Sequence, residues 1–83
     1  MMISPFLTHR NKVLGNYGAA DFLRSVVLAM YNGHSHKVSL SGLTNLDRDH
    51  ITAFLELTSS YARHGENDDL FLALACECLE LRD

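Results

Sequence analysis

The stretch "GAADFLRSVVLAMYNG", residues 18–33, constrains the fold more than any other part of this chain. On a helix of 3.6 residues per turn, Phe22, Leu23, Val26, Val27, Met30 and Tyr31 form an apolar stripe wider than half the cylinder. A helix this apolar has to be central, packed against every other segment or against a second subunit. Asn32 and Gly33 supply a left-handed C-terminal stop.

Three further helical segments surround it in sequence. In the first, Ser4 and Pro5 fit an N-cap and first helical position, Gly15 fits the stop, and Phe6, Leu7, Arg10, Val13 and Leu14 share a face. In the third, Asp47 is the cap, Leu46 is placed to staple onto Ile51, and Gly65 ends the helix. Its apolar face reads Ile51, Phe54, Leu55, Thr58, Tyr61 and Ala62. The last helix opens on Asn67 as cap, with Asp68 and Asp69 in a first turn where carboxylates complement the helix dipole. Its buried side reads Leu70, Phe71, Leu74, Ala75, Cys78, Leu79 and Leu81. In the 34–46 connection, leucines at 40, 43 and 46 suit a short helical turn begun by Ser39 or Ser41; a strand over 37–40 is the alternative, but a lone strand has no partner. The pattern predicts an all-α fold, a small bundle of about four helices, in a single domain over 1–83.

A chain of 83 residues buries only about 60% of the surface its unfolded form exposes, so a partner subunit or ligand would add welcome burial. The N-terminus lacks a secretory pattern and no apolar run reaches bilayer length, which predicts a cytoplasmic protein without membrane attachment. Cys76 and Cys78 are too close for an ordinary disulfide, and reduced thiols suit that compartment. On a helix they point about 200° apart, with Cys78 on the apolar face, so they read as structure rather than as half of a zinc site. Charge is unevenly distributed. Residues 1–46 carry four cations against Asp21, whereas residues 47–83 carry three cations against nine acids. The second half is thus an acidic surface that suits a basic protein partner, or a head-to-tail copy, and disfavours nucleic acid. Plain solvated helix faces give the same composition.

The chain carries few signs of chemistry. His34, His36 and His50 lie near one another in sequence, but an H-x-H pair converges on a metal when it lies on a strand, and here it follows a helix stop. Exposed loop histidines account for the pattern, and no metal or cofactor is expected. No phosphate loop, G-x-S-x-G or H-E-x-x-H pattern occurs, and the paired acids sit at helix starts, so no catalytic residue is assigned and the chain reads as a non-enzyme. The run 40–57 has the outline of a helix, a turn and a recognition helix, yet Arg48 and Arg63 are outweighed there by Asp47, Asp49 and Glu56. Nucleic-acid binding would fall to the basic N-terminal segment.

Phe22, Leu23, Tyr31 and Asn32, followed by Leu40, Leu43, Leu46 and Asp47, resemble the "F-L-x-x-x-Y/W-N" and "L-x-x-L-x-x-L-D" passages of small helical domains carried by plasmids and integrative elements. The resemblance spans about the middle half of the chain and implies a mobile-element origin. In size and acidity the chain is similar to small anti-defence proteins, including anti-CRISPR proteins, which occupy a basic channel or a subunit interface. Together these imply a non-enzymatic protein-binding module, an inhibitor of a defence or nucleic-acid-directed complex. Its contact residues would be Glu66, Asp68, Asp69, Glu77 and Glu80, with Tyr61 or Arg63 as anchors. The alternatives are a structural homodimer completing its core through the central helix, and a small nucleic-acid-binding domain.

Overall fold

The structure is a computed structural model that describes residues 3–82; Met1, Met2 and Asp83, one of the nine acids counted above, lie outside the described residues. Five α-helical segments follow in order: α1 (Pro5–Thr8), α2 (Arg10–Leu14), α3 (Gly18–Tyr31), α4 (Arg48–His64) and α5 (Asp69–Arg82). 3₁₀ turns span Leu40–Asn45 and Gly65–Asn67, and the described residues include no strand. The all-α expectation holds. The "bundle of about four helices" resolves into three long helices and an N-terminal segment split in two.

That split falls at His9, whose φ of −103° and ψ of 16° leave the helical well. Ser4 does cap α1, its Oγ accepting from the Phe6 N–H at 3.2 Å. Phe6 and Val13 are buried as the spacing requires, whereas Leu7 stands half exposed. Gly15 is not a left-handed stop: its φ of −64° and ψ of 161° are extended. Arg24 closes the end of α2 instead, donating from Nη1 to the carbonyls of Val13 and Gly15, 3.0 Å each. A glycine is needed at 15 for another reason, since a Cβ there would stand 2.3 Å from Cε1 of Tyr17, whose ring folds back over it.

The central position foreseen for α3 is observed. Ala20, Leu23, Val26, Val27 and Leu28 are buried, and α3 packs on α2, α4 and α5 of its own chain. Its stop differs from expectation, because Gly65 is the residue with positive φ among those described. Asn32 has φ −151° and turns the chain with its side chain, Oδ1 accepting from the His34 and Ser35 N–H groups at 3.2 and 3.3 Å. The connection then forms the foreseen helical turn, with Leu46 buried and Leu40 exposed.

α4 begins at Asp47 and ends at Gly65 as read, but its buried face is turned from the expected one. His50, Ala53 and Leu57 are buried, Phe54 and Tyr61 half buried, and Ile51, Leu55 and Ala62 exposed. Of the pair expected to form a staple, Leu46 is buried and Ile51 is 38% exposed. Small Ala53 lets the helix approach its neighbours closely, and His50 tolerates burial because both of its ring nitrogens are paired. The cap of α5 is Asp68 rather than Asn67, which is spent in the 3₁₀ turn; Asp68 Oδ1 accepts from the Leu70 N–H at 2.9 Å. Phe71, Leu74, Ala75 and Cys78 are buried as predicted, while Leu70 and Leu81 are exposed.

Phe71 sits where the segments meet. Its ring lies 5.0 Å from that of Phe6 and 5.1 Å from that of Tyr61, and Tyr61 donates its hydroxyl to the Met30 carbonyl at 2.8 Å. Phe71→Ala is expected to lower unfolding free energy by about 3–5 kcal/mol, measured by urea denaturation. Gly65, at φ 54° and ψ −133°, occupies a region nearly closed to other residues. Gly65→Ala should cost about 1–3 kcal/mol even though open space surrounds the position.

Candidate functional site

Two groupings of side chains stand out. The first is an open groove between the N-terminal turn and α4, closed at one end by the start of α5. Its apolar residues are exposed: Ile3 at 67%, Leu55 at 59% and Leu70 at 40%. Ser59 and Ser60 form part of its wall, and Arg63 and His64 lie at the end of α4. The groove is held in shape by two ties from the residues that flank α1. Ser4 Oγ donates to Asp68 Oδ2 at 2.7 Å, and His9 Nε2 lies 2.5 Å from Glu56 Oε1. In the tautomer that carries the Nε2 proton, His9 donates to the carboxylate, while its buried Nδ1 has no partner.

The second grouping is a chain of hydrogen bonds at the start of α4. Asp47 Oδ1 accepts from the His50 backbone N–H at 2.9 Å and lies 2.7 Å from His50 Nδ1. Tyr17 OH lies 2.8 Å from His50 Nε2, the two rings meeting edge to face. With Nδ1 protonated, His50 donates to Asp47 and accepts from the Tyr17 hydroxyl. The order carboxylate, imidazole, hydroxyl is one that activates nucleophiles in hydrolases, but neither Tyr17 nor His50 lines the groove beside α4. Here the chain ties the α2–α3 joint to the first turn of α4.

The sequence-predicted residues divide between these roles and the open surface. Asp68 is half buried, spent on the α5 cap and on Ser4. Glu77 is half buried with Arg10 Nη2 at 2.9 and 3.0 Å from its two oxygens. Tyr61 is committed to Met30 and Phe71. Glu66, Asp69, Glu80 and Arg63 are exposed, and Arg63 is the one the groove contains. Of the histidines, His34 is exposed, His36 half buried and His50 turned inward to Asp47 and Tyr17. Among the described residues no three His, Cys, Asp or Glu side chains gather as a metal site requires. Cys78 is buried and Cys76 exposed, in line with their spacing. No described helix is long and apolar enough to cross a membrane. Ile3 and Leu55 are surface residues that the sequence does not mark as such, because an apolar side chain in a short chain reads as core.

Comparison with protein-family models, with curated proteins and with solved structures finds no match to this chain. The site therefore has to be read from its own geometry.

The carboxyl of Asp47 is held below its usual 3.8, first by the His50 backbone hydrogen bond and then by the His50 side chain. An unfolded chain binds that proton more readily than the folded one. The stability it contributes is complete above about 3.8 and is lost as pH falls through the lowered folded value. Asn at this position retains a capping oxygen but does not titrate. Asp47→Asn should therefore lose less stability than wild type between roughly pH 5 and pH 2, as followed by thermal melts across that range. At neutral pH, Tyr17→Phe should cost about 0.5–1.5 kcal/mol by removing the hydroxyl from His50.

Proposed function

We propose that this chain is a protein-binding module that performs no chemistry of its own, and that its contact surface is the groove beside α4 together with the exposed face of that helix. The observation that carries this reading is the exposure of Ile3, Leu55 and Leu70 around one concave surface, with Leu7 and Ile51 also exposed on the helices that wall it. Contiguous apolar side chains rimmed by polar ones are the usual mark of a protein contact. Ser59 and Ser60 offer hydrogen bonds inside the groove, and Arg63 offers a bidentate donor at its end.

The exposed acids keep a part in this reading. Glu66 and Asp69 flank the α5 end of the groove in sequence, and Glu80 lies three turns further along the helix that carries Asp69. Such charges raise the rate at which a basic partner is met more than they raise affinity. The narrower form, an inhibitor of a defence or nucleic-acid-directed complex, draws its support from these free carboxylates and from the small size of the chain. Asp68 and Glu77 are poor candidates for that role, since the fold already uses them.

The test is affinity capture from lysate of the natural host, comparing wild type with Leu55→Glu and with the double reversal Glu66→Lys, Asp69→Lys. Leu55→Glu should abolish capture of any specific partner. The charge reversal should weaken capture at low salt and make little difference at high salt. Identical sets of bound proteins from all three would refute the groove as the contact surface.

A further inference from the structure

Residues 33–45 join α3 to α4, and among the described residues their hydrogen bonds stay within the connection and its two end residues, Asn32 and Leu46. The Asn32 side chain accepts from the His34 and Ser35 N–H groups, and the Asn32 carbonyl accepts from that of His36 at 3.0 Å. Further on, the Ser39 carbonyl accepts from the Gly42 N–H at 3.1 Å and the Leu43 carbonyl from the Leu46 N–H at 3.2 Å. The hydroxyls of Ser39 and Ser41, which flank Leu40 in sequence, lie 2.9 Å apart.

Apolar contact therefore fastens the connection to the helices. Gly42 is one fastening: a Cβ there would stand 2.5 Å from Cδ1 of Phe22, so the backbone lies directly on that ring. Leu46, 8% exposed, is the other. Between Asn32 and Gly42 no residue is buried. A unit whose polar groups are satisfied internally can shift on an apolar support without breaking a hydrogen bond, so its motion costs little.

Between this connection and the helices lies an open cleft of about 350 Å³, lined by Met30 of α3, by Phe54, Thr58 and Tyr61 of α4, and by Val38 and Leu40 of the connection. The hydroxyl protons of its walls are already engaged. Tyr61 donates to the Met30 carbonyl and Thr58 to the Phe54 carbonyl, 2.8 Å each. Leu40 lines the cleft yet stands 61% exposed. A large aliphatic side chain at the mouth of an unfilled apolar cleft, on a segment with no polar tie to the helices, gains burial by moving inward. Phe54 packs beside Phe22, ring centroids 6.1 Å apart, so the wall of the cleft and the fastening at Gly42 share one aromatic pair.

We propose that residues 33–41 form a lid, anchored where Gly42 rests on Phe22, that closes by seating the Leu40 side chain in this cleft against Phe54 and Tyr61. Closed, the chain fills its own cleft, and an apolar molecule enters only where Leu40 has left. The cleft is separate from the groove beside α4, and the lid stands or falls independently of the binding-module reading.

The test is thermal melting of the full chain with and without benzene, for wild type, Leu40→Ala, Gly42→Ala and the two substitutions together. With Leu40 seated, Leu40→Ala should lower the melting temperature by roughly 5–10 °C. Truncating a side chain that stays exposed shifts it by no more than about 3 °C. Benzene should raise the melting temperature of Leu40→Ala and leave wild type unchanged, because an emptied apolar cavity binds it and a filled one does not. Gly42→Ala drives a methyl group into the Phe22 ring and lifts the lid, so adding Leu40→Ala to it should lower the melting temperature little further. In Gly42→Ala, amide hydrogen exchange should quicken at His36 and Leu46 and stay slow in α3, α4 and α5. Equal melting temperatures for wild type and Leu40→Ala, an equal response of the two to benzene, or additive losses in the double variant each overturn the proposal. So does exchange in Gly42→Ala that quickens through all three helices, since the connection would then be part of the core and not a lid.

Discussion

The ring of Phe71 is the contact on which the rest of this small structure depends. It takes the edge of Phe6 on one side and Tyr61 on the other, so one side chain of α5 fixes both the N-terminal turn and the last third of α4. Tyr61 passes the constraint on, its hydroxyl bonded to the carbonyl of Met30 near the end of α3. Aromatic rings carry much burial per residue, which suits a chain with little interior to spend. The N-terminal turn, four residues long, has no stability of its own. It exists because Phe6 is held by Phe71 and Ser4 by Asp68, and it is this turn that walls the groove.

What could be read from the sequence was what local chemistry decides. Ser4 and Asp47 start their helices as read, because an N-cap is a bond between a side chain and the backbone two or three residues away, and Gly65 ends α4 as read because glycine readily takes the positive φ found there. The centrality of α3 was legible because its apolar stripe is too wide to be satisfied any other way. The rotation of α4 was not. Ile51, Leu55 and Phe54 outweigh Ala53 and His50 on any hydrophobic count, but the helix presents Ala53 and Leu57 to the core and exposes the larger pair. Deciding between the two faces required knowing that Tyr17 and Asp47 would meet His50, a contact 33 residues long in one direction. The same holds for the break at His9, which is paid back by Glu56 from α4.

The candidate site was legible only in part, for a related reason. Carboxylates are visible in a sequence, but their prior engagements are not. Asp68 and Glu77 looked like free acids and prove to be a cap and an ion-pair partner, whereas Glu66, Asp69 and Glu80 remain on the surface. Arg63 was legible as an exposed cation and lies in the groove. Ile3, Leu55 and Leu70 drew no attention as contacts, since an apolar residue in a short chain is assumed to be inside. Their exposure is a statement about tertiary packing and has no local signature.

That exposure also bears on how a chain of this length is stabilised. Burying α4 through Ala53 and Leu57 sacrifices the burial of Ile51 and Leu55, which at roughly 25 cal/mol per Å² is a sizeable loss for a small domain. Turning the helix the other way would bury them and expose His50, freeing Tyr17 and Asp47 as well. A packing that retains a polar tie in place of two large aliphatic side chains is favourable for the isolated chain only if that tie and the close approach at Ala53 offset the loss. A surface contact removes the conflict, because it buries Leu55 and Ile51 without disturbing His50.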